Sequence, residues 1–416
     1  MSAAKPFAID KWQVYEAYQA VKANAGSAGV DRQSIEAFEQ DLKGNLYKIW
    51  NRMSSGSYFP PPVKAVAIPK KNGGVRILGV PTVADRVAQM VVKRVIEPEL
   101  EARFLPDSYG YRPGRSALEA VAVTRQRCWQ YPWVLEFDIK GLFDHIDHAL
   151  LLRALEKHVN CEWAMLYIKR WLTVPLQHAD GTLEERTQGT PQGGVVSPVL
   201  ANLFLHYTFD VWMTKHHPDN LWCRYADDGL VHCRTEQEAQ ALRAALDARF
   251  AQCALTMHPD KTKVIYCKDG SRKGRYPTTQ FDFLGYTFRA RTVKNSKKNS
   301  LFVSFTPAVS SKAVTAMRQK TRKLNYRNRT DLSLADIARL HNPLLRGWLE
   351  YYGKFCRSAM YPVLRHFNKT LVAWAMRKYR RLKGHKTRAA RFLEDLAEKQ
   401  SYLFVHWQRG MVGAFA

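Results

Sequence analysis

The segment Leu221–Cys233, LWCRYADDGLVHC, places two adjacent aspartates, Asp227 and Asp228, between two apolar runs. The flanking residues favour strands and Asp and Gly tolerate turns, so the segment predicts a β-hairpin with the acids at its turn. Carboxylates at a tight turn between buried strands are costly unless a partner compensates their charge. A divalent cation is the usual compensation, and a plain exposed turn is the alternative.

A second segment, Val134–Asp144 (VLEFDIKGLFD), is a hydrophobic strand with one internal acid, Asp138. An acid inside a buried strand requires a metal ion or an arginine as its partner. Two acid-bearing strands can bring three carboxylates around two cations, which is the arrangement that two-metal phosphoryl transfer needs. We therefore expect Asp138, Asp227 and Asp228 to bind two Mg²⁺ ions, for which Mn²⁺ can substitute, while the rest of the chain brings nucleic acid to them.

Composition indicates a globular, strongly basic protein. The 416 residues suffice for two to three domains, and 46% of them are hydrophobic. The net charge of +27 predicts a polyanionic partner, DNA or RNA rather than a membrane. From Arg289 onward, 28 Lys and Arg face 6 Asp and Glu, whereas the first 288 residues hold 36 and 31. A near-neutral, enzyme-like body thus precedes a basic C-terminal part.

The seven cysteines form no CxxC pair, which excludes a zinc ribbon and a redox motif of that kind. An odd, scattered set fits a reducing cytosol. The sequence shows no signal peptide and no apolar run long enough to span a bilayer. We expect a cytoplasmic protein of bacterial type that acts at the nucleoid or on RNA.

The pattern of elements predicts an α+β fold. Helices are expected over residues 10–52 with a break at Gly26–Asp31, a β-hairpin over 63–80, and a helix over 81–104. The strands around the acids, with a further strand at Phe281–Phe288, predict a palm built on a small antiparallel sheet with helices behind it. From residue 289 the pattern predicts an all-α bundle, with helices over 310–326, 333–349, 359–382 and 387–399.

Basic side chains mark three candidate anion-binding segments. Lys70 and Arg76 flank the turn of the 63–80 hairpin and could hold a triphosphate, although a solvated turn is the alternative. The loop Ser108–Arg115, SYGYRPGR, suits a sugar-phosphate backbone through Arg112 and Arg115, with two tyrosines as aromatics to stack on, or is simple turn chemistry. Residues 374–391 hold eight Lys and Arg and no acid, which predicts phosphate contacts. The RNA-binding candidates there are Arg377, Lys378, Arg380, Arg381, Lys383, Lys386 and Arg388.

The ordered motifs resemble a known family. RYADDGLVHC resembles the active-site box of reverse transcriptases, and FDIKGLFDHID, GTPQGGVVSPVLANLFL, HPDKTKVIY and FDFLGYTF resemble the flanking boxes in the same order. More narrowly, the chain resembles group II intron-encoded reverse transcriptases, the maturases. That resemblance rests on GSAGVD, RILGVPTVADRVAQ and SYGYRPGRSALEAV, and on NPLLRGWLEYYGKF, RKYRRLKGHKTRAARFL and LFVHWQRG, and it runs from about residue 10 to residue 411.

The resemblance implies a right-hand polymerase with an N-terminal helical extension (1–60), fingers and palm (61–288), and an all-α thumb or maturase domain (289–416). It implies an RNA-directed DNA polymerase that binds its host group II intron RNA and assists splicing and retrohoming by target-primed cDNA synthesis. The implied partners are the intron RNA, an RNA template with a DNA or RNA primer, target DNA and dNTPs. A domesticated enzyme of defence or repair, or an RNA-binding splicing cofactor with a dispensable polymerase site, stays open as an alternative.

The resemblance also implies roles for single residues. Asp138 and Asp227 would bind the metal ions most directly, helped by the carbonyl of Ile139, with Asp228 near the primer end. The dNTP-binding residues would be Lys70 and Arg76 on the triphosphate, Phe143 beneath the sugar, where it excludes a 2′-hydroxyl, Gln192 beside the nucleotide, and Lys261 as proton donor to pyrophosphate. Many relatives continue into a Cys/His-bearing endonuclease domain that this sequence does not show, so we expect the endonuclease-lacking type, primed for example by nascent DNA at a replication fork.

Overall fold

The computed structural model describes residues 5–69, 73–295, 299–413 and 415. The chain forms two compact units. Unit 1 runs to Ala120 and resumes over Leu135–Val264, and unit 2 comprises Val121–Val134 and the residues from Ile265 on. The functional division expected at residues 60 and 288 stays a prediction.

Three helices open unit 1: α1 (Lys11–Asn24), α2 (Ile35–Glu39) and α3 (Leu42–Ser54). Each begins at a polar residue, Asp10, Ser34 or Asp41, whose side chain accepts a hydrogen bond from a backbone N–H of the first turn. These bonds satisfy donors that a helix start leaves unpaired. The helices predicted over 10–52 are confirmed, except that the second one is split between α2 and α3.

The first sheet consists of β1 (Val63–Pro69), β2 (Val75–Val80), β4 (Leu176–Gln177) and β5 (Leu183–Glu184), in the order β2-β1-β4-β5. The predicted hairpin of 63–80 is confirmed as an antiparallel pair, in which Ile68 lies opposite Arg76. The helices in this part of the chain are α4 (Val83–Glu101), α5 (Ala117–Gln130), α6 (Leu142–His145), α7 (His148–Glu156) and α8 (Glu162–Leu172).

A four-stranded sheet in the order β6-β7-β3-β8 carries both acid-bearing strands. Its strands are β3 (Trp133–Asp138), β6 (Trp222–Tyr225), β7 (Asp228–Cys233) and β8 (Lys263–Tyr266). The elements between these strands are α9 (Ser197–Leu205), a π-helix (His206–Asp210), α10 (Val211–His216) and α11 (Glu236–Gln252). The palm predicted from the sequence is therefore present, with β3 and β7 adjacent in one sheet.

Aromatic packing fixes this sheet against its helices. The ring of Phe137 on β3 lies 5.0 Å from that of Phe209 and 5.6 Å from that of Phe250 on α11, between ring centroids. All three rings are almost fully buried. Burying a Phe side chain stabilises a fold by about 1.5–3 kcal/mol, so this cluster holds the strand that ends at Asp138 in place.

The C-terminal part of unit 2 contains a three-stranded sheet followed by helices. Strands β9 (Gln280–Phe283), β10 (Tyr286–Asn295) and β11 (Ser300–Val309) pair in the order β11-β10-β9. The helices are α12 (Ser311–Lys323), α13 (Leu334–Tyr352), α14 (Tyr361–Lys378), α15 (Lys386–Lys399) and α16 (Val405–Gln408). Their shared core contains Phe367, Trp374, Phe404 and Trp407.

Two expectations for this part of the chain are wrong. The segment Phe281–Phe288 is not one strand, because Leu284 and Gly285 adopt φ values of 51° and 79° and reverse the chain between β9 and β10. The region from residue 289 is not all-α, because β10 and β11 form a long antiparallel hairpin before α12. The α+β class itself is confirmed. No helix among the described residues is long and apolar enough to cross a membrane.

Candidate active site

The turn of the hairpin that contains Asp227 and Asp228 lies one residue earlier in the sequence than expected. Tyr225 pairs with Asp228, so the two-residue turn is Ala226–Asp227 and Asp228 is already the first residue of β7. The two acids therefore differ in backbone context, one in the turn and one in the strand. The expectation that both stand at the turn is wrong, because the turn uses Ala226 rather than Gly229.

Two glycines, Gly110 and Gly229, allow close contacts that pack this hairpin against neighbouring parts of the chain. A Cβ added to Gly110 would lie 2.3 Å from the backbone nitrogen of Ala226, and one added to Gly229 would lie 2.1 Å from the ring of Phe137. Both glycines therefore permit contacts that a larger residue would prevent. The loop Ser108–Arg115 thus supports the turn.

Asp138 and Asp227 face one cavity and are partly withdrawn from water. Asp138, at the end of β3, is only 8% exposed, and its Oδ2 accepts a hydrogen bond of 2.6 Å from the ammonium group of Lys261. Burial raises the pKa of the Asp227 carboxyl group, and the charge of Asp138 adds to that shift. Three acids and one nearby lysine leave an excess of negative charge.

Asp228 behaves differently from Asp227. Part of its side chain is exposed, yet desolvation, followed by the charges of Asp227 and Asp138, raises the pKa of its carboxyl group to about 7. Asp228 does not line the cavity that Asp138 and Asp227 line. The position of Asp228 thus differs from that of the two acids expected to bind metal most directly.

The chemistry of these donors fits a divalent cation. Carboxylate oxygens are ligands that Mg²⁺ prefers, and carboxylates with raised pKa values gain stability from a nearby positive charge. Within the described ranges, no three His, Cys, Asp or Glu side chains already stand in ligand geometry around a single point. The Lys261 ammonium group supplies positive charge at Asp138 instead, so a metal ion would have to displace it.

The cavity has a volume of about 930 Å³. It brings together residues that the sequence separates by up to 188 positions. Of the predicted site residues, Arg76, Asp138, Ile139, Phe143, Gln192, Asp227 and Lys261 all line it. Lys70, the other predicted triphosphate ligand, lies outside the described residues.

Hydrogen bonds link three side chains that line the cavity, those of Arg76, Gln192 and Asp144. The amide nitrogen of Gln192 donates to both carboxylate oxygens of Asp144, at 3.0 and 2.9 Å, and its amide oxygen accepts from Nε of Arg76. The backbone of Gln192 is fixed as well, because its carbonyl accepts a 2.8 Å bond from the nitrogen of Gly79. The Arg76 guanidinium is thereby aimed into the cavity by residues from three separate segments.

Phe143 forms an apolar wall of the same cavity. Its side chain is 9% exposed, and its ring lies edge-to-face with that of Tyr111, with 6.4 Å between centroids and an angle of 74°. Tyr111 belongs to the Ser108–Arg115 loop, so this loop contributes an aromatic ring rather than only backbone. Phe143 thus supplies a bulky apolar side chain to the cavity, and Tyr111 packs against it from outside.

The structure corrects the assignment of Arg112 as an RNA-binding residue. Its guanidinium is buried, and Nε lies 2.9 and 3.0 Å from the two carboxylate oxygens of Glu101. It also donates to the carbonyls of Leu105 and Ser108, at 2.6 and 2.7 Å. Arg112 therefore ties the loop to α4 and has no face for a phosphate. Arg115, in contrast, is exposed.

The predicted basic residues of unit 2 fall into two groups. Lys378 is half-buried and donates to the carbonyls of Thr330 and Leu332, at 2.9 and 2.8 Å, which makes it largely structural. The side chain of Arg377 is exposed and donates to the carbonyl of Ala373 on its own helix. The other five are exposed and lie between α14 and the first turn of α15, and we call them the basic cluster: Arg380, Arg381, Lys383, Lys386 and Arg388.

Sequence reasoning missed several residues of the site. Asp144 lines the cavity and stood in a motif already singled out, and the contact of Tyr111 with Phe143 was not foreseen, although the tyrosines of its loop were expected to stack on nucleic acid. It also missed the fully buried pair of Arg224 and Asp210, whose carboxylate accepts two bonds from the Arg224 guanidinium. A signal was present, since an arginine inside a hydrophobic strand requires a partner just as Asp138 does.

Two family models match the chain. Residues 68–288 match the model described as "Reverse transcriptase (RNA-dependent DNA polymerase)". Residues 314–392 match the model described as "Group II intron, maturase-specific domain". The first match covers all the cavity residues named above, and the second covers the basic cluster.

Single proteins align with parts of this chain. Protein YkfC of Escherichia coli is 29% identical over 59% of this chain and 74% of its own length. The group II intron-encoded protein LtrA of Lactococcus lactis subsp. cremoris is 34% identical over 46% of this chain, which spans about a third (32%) of that protein. Among solved structures, telomerase from Candida albicans aligns with 91% of this chain and 68% of its own, at 14% identity and a TM-score of 0.44.

Proposed function

This chain belongs to the reverse transcriptase (RNA-dependent DNA polymerase) family, and we propose that it extends a DNA or RNA primer along an RNA template with dNTPs as substrates. One observation carries the proposal. A single cavity presents the carboxylates of Asp138 and Asp227 together with the Arg76–Gln192 pair. Acids able to hold cations and a cation able to hold a triphosphate are the two halves of a nucleotidyl-transfer site.

We propose that Asp138 and Asp227 hold two Mg²⁺ ions, for which Mn²⁺ can substitute, with the carbonyl of Ile139 and the Asp228 carboxylate nearby. Bound there, the ions would activate the primer 3′-hydroxyl and neutralise charge on the triphosphate. The raised pKa values of Asp227 and Asp228 support this proposal, because uncompensated carboxylates are what a cation would stabilise.

The remaining cavity residues would bind and orient the nucleotide. Arg76, held by Gln192, would contact the triphosphate, and Lys70 is proposed as a second triphosphate ligand. The primer 3′-oxygen would form a bond to the α-phosphorus while the bond from that phosphorus to pyrophosphate breaks. Lys261 would donate its proton to the departing pyrophosphate. Phe143 would pack beneath the sugar and exclude a 2′-hydroxyl.

The test is primer extension on an RNA template with the wild-type protein and two alanine variants. Asp227→Ala should abolish extension, because it removes a metal ligand. Asp247→Ala is the matched control, since Asp247 is an exposed acid on α11 outside the cavity and should leave extension unchanged. Extension by Asp227→Ala at the wild-type rate would refute the proposal.

We further propose that unit 2 binds a group II intron RNA and assists its splicing, and that cDNA synthesis primed on target DNA serves mobility. The maturase-specific match over 314–392 and the exposed basic cluster support this role. Five cations without an acid among them form a phosphate-binding surface. Such a role would place the protein in the cytoplasm, where RNA and dNTPs are both available.

Splicing assays would separate this role from polymerisation. Addition of the Asp227→Ala protein to a group II intron transcript should still promote splicing, because the substitution lies outside unit 2. If that variant splices and the wild type does not copy RNA, the chain is a splicing cofactor with a dispensable polymerase site. If the wild type copies RNA but binds no intron, a domesticated enzyme of defence or repair is the better assignment.

A further inference from the structure

A buried ion pair lies directly behind the metal-binding hairpin. The guanidinium of Arg224 is 0% exposed and donates to Asp210 twice, from Nε to Oδ1 at 2.7 Å and from Nη2 to Oδ2 at 2.6 Å. The carboxylate of Asp210 is also 0% exposed. Paired bonds of this kind fix a guanidinium in both position and plane.

The same guanidinium reaches the turn that presents Asp227. Its Nη1 lies 3.1 Å from the carbonyl oxygen of Ala226 and 3.1 Å from Oδ1 of Asn202, and its Nη2 lies 2.8 Å from Oγ of Ser108. The carbonyl of Ala226 is part of the peptide that leads into Asp227. Arg224 therefore donates a hydrogen bond to the peptide group that immediately precedes Asp227.

That turn needs external support. Ala226 has a φ of 54°, in the left-handed region that a residue with a Cβ adopts at a cost. Strained conformations persist where the surroundings over-determine them. Arg224 holds the carbonyl side of Ala226, while Gly110 packs against its nitrogen and is itself held by a 2.7 Å bond from Asn202 Nδ2 to its carbonyl.

A π-helix presents the acid of the pair. Asp210 is the last residue of the π-helix His206–Asp210, between α9 and α10. A π-helical turn inserts an extra residue into a helix and is frequent at functional sites. Replacing a buried ion pair by apolar residues is often neutral or stabilising, so stability alone gives little reason for this arrangement.

We infer that Arg224 and Asp210 are positioning residues for the carboxylate of Asp227. The pair fixes the strained Ala226 peptide and thereby sets where Asp227 meets a cation and the reacting phosphate. This inference rests on the proposed polymerase function, although its first readout does not need catalysis. Neither side chain touches substrate, so both act through the hairpin.

The test compares wild type with Arg224→Lys, which keeps the charge but cannot make the paired bonds and the Ala226 bond together. The first readout is the rise in Tm on titration with Mn²⁺ in the absence of nucleic acid. The variant should require a higher Mn²⁺ concentration for the same rise. The second readout is steady-state primer extension, where kcat should fall about 10- to 100-fold with KM for dNTP unchanged, as expected for a misplaced reacting group.

Val14→Ala is the matched control, because Val14 is a buried residue of α1 and its truncation lowers stability without touching the hairpin. A shift in Mn²⁺ response and kcat in Arg224→Lys that Val14→Ala also shows would overturn the inference. Asp210→Asn repeats the measurement with an isosteric side chain that still accepts from Nε. Failure of both pair variants to fold would count against the inference too, since the pair would then be required for the fold itself.

The two proposals fail in different ways. If the wild-type protein does not extend primers, the polymerase function is wrong, while the Mn²⁺ titration still reports on the hairpin. If the wild type extends primers and Arg224→Lys matches it in both readouts, the polymerase function stands and the positioning role is wrong.

Discussion

The ammonium group of Lys261 lies 2.6 Å from Oδ2 of Asp138, so the protein itself supplies a cation to one of the acids proposed to bind metal ions. Partial burial is the largest single effect and lowers the pKa of Lys261, but the hydrogen bond to Asp138 and the charges of Asp138, Asp228 and Asp227 together outweigh it and raise the pKa. A divalent ion that binds Asp138 must displace this group. The free site is thereby partly neutralised before any ion arrives.

Replacing Lys261 with Gln should strengthen the binding of the first divalent ion. Removing a unit charge about 4 Å from a divalent ion in water-like surroundings changes the binding free energy by ~2 kcal/mol, or about 30-fold in affinity. The measurement is the Mn²⁺ dependence of Tm without nucleic acid. Lys157→Gln, at an exposed position outside the cavity, is the control. Weaker Mn²⁺ binding by Lys261→Gln would show that the lysine does not compete with the ion.

The pH dependence of stability should expose the repulsion around Asp228. Its carboxyl group has a pKa of about 7 in the folded chain, above an ordinary value of about 4. The folded state then binds more protons than the unfolded one between these values. The stability contributed by this group is full below about pH 4 and is lost as the pH rises towards 7.

Without divalent cations, Asp228→Asn should therefore melt at a higher temperature than wild type at pH 8 and at a similar temperature near pH 4. Adding Mg²⁺ at pH 8 should shrink the difference, because the ion compensates the wild-type charge. Asp247→Asn serves as control. If the Tm difference between Asp228→Asn and wild type did not change with pH, ionisation of Asp228 would not be the cause of the lost stability.

Phe143→Ala should relax discrimination between dNTPs and rNTPs. The ring is buried against Tyr111, and its removal opens space where a 2′-hydroxyl would lie. The ratio of kcat/KM for dNTP over rNTP should fall by on the order of 10- to 100-fold, mainly because rNTP use improves. Phe59→Ala, at an exposed ring, is the control. An unchanged ratio would remove Phe143 from sugar selection.

The basic cluster should control the salt dependence of RNA binding. The triple variant Arg380→Gln, Lys383→Gln, Arg388→Gln should bind intron RNA more weakly. The logarithm of its binding constant should also fall less steeply with the logarithm of salt concentration, by about 0.7–0.9 for each phosphate that the variant no longer neutralises. The matched triple variant Arg329→Gln, Arg339→Gln, Lys399→Gln removes the same charge elsewhere in unit 2. Equal weakening in the two variants would mean that only net charge matters.

Much of the site was predictable because its acidic and basic residues lie in sequence motifs that follow one another in the order typical of the family. The family assigned from those boxes is confirmed by the match over 68–288, and the maturase assignment by the match over 314–392. Asp138 and Asp227 could be placed together, since each is an acid where a hydrophobic strand ends. The order of the motifs along the chain was enough to predict that these two acids lie together, and no knowledge of side-chain packing was needed.

Other features depended on partners that the sequence does not show. Arg112 has the charge of an RNA ligand, but Glu101, eleven residues earlier, binds it inside unit 1. The turn at Ala226 was missed because glycine is the expected residue at positive φ, and the packing of Gly110 and the bond from Arg224 that support an alanine there come from partners that the sequence does not show. In β10, Arg289 and Arg291 alternate with Ala290 and Thr292, a period typical of a strand, but the all-α expectation was extended back to residue 289 from helical patterns that begin only at residue 310.

Asp138 and Asp227 are proposed to hold the metal ions for nucleotidyl transfer on an RNA template. The most direct measurement is the rate of a single dNTP addition by protein already bound to an RNA template with an annealed DNA primer. Asp138→Asn and Asp227→Asn should bind the duplex as wild type does but add the nucleotide at least ~1000-fold more slowly, since metal-ligand loss removes several kcal/mol of transition-state stabilisation. Addition at the wild-type rate by either variant would contradict the account.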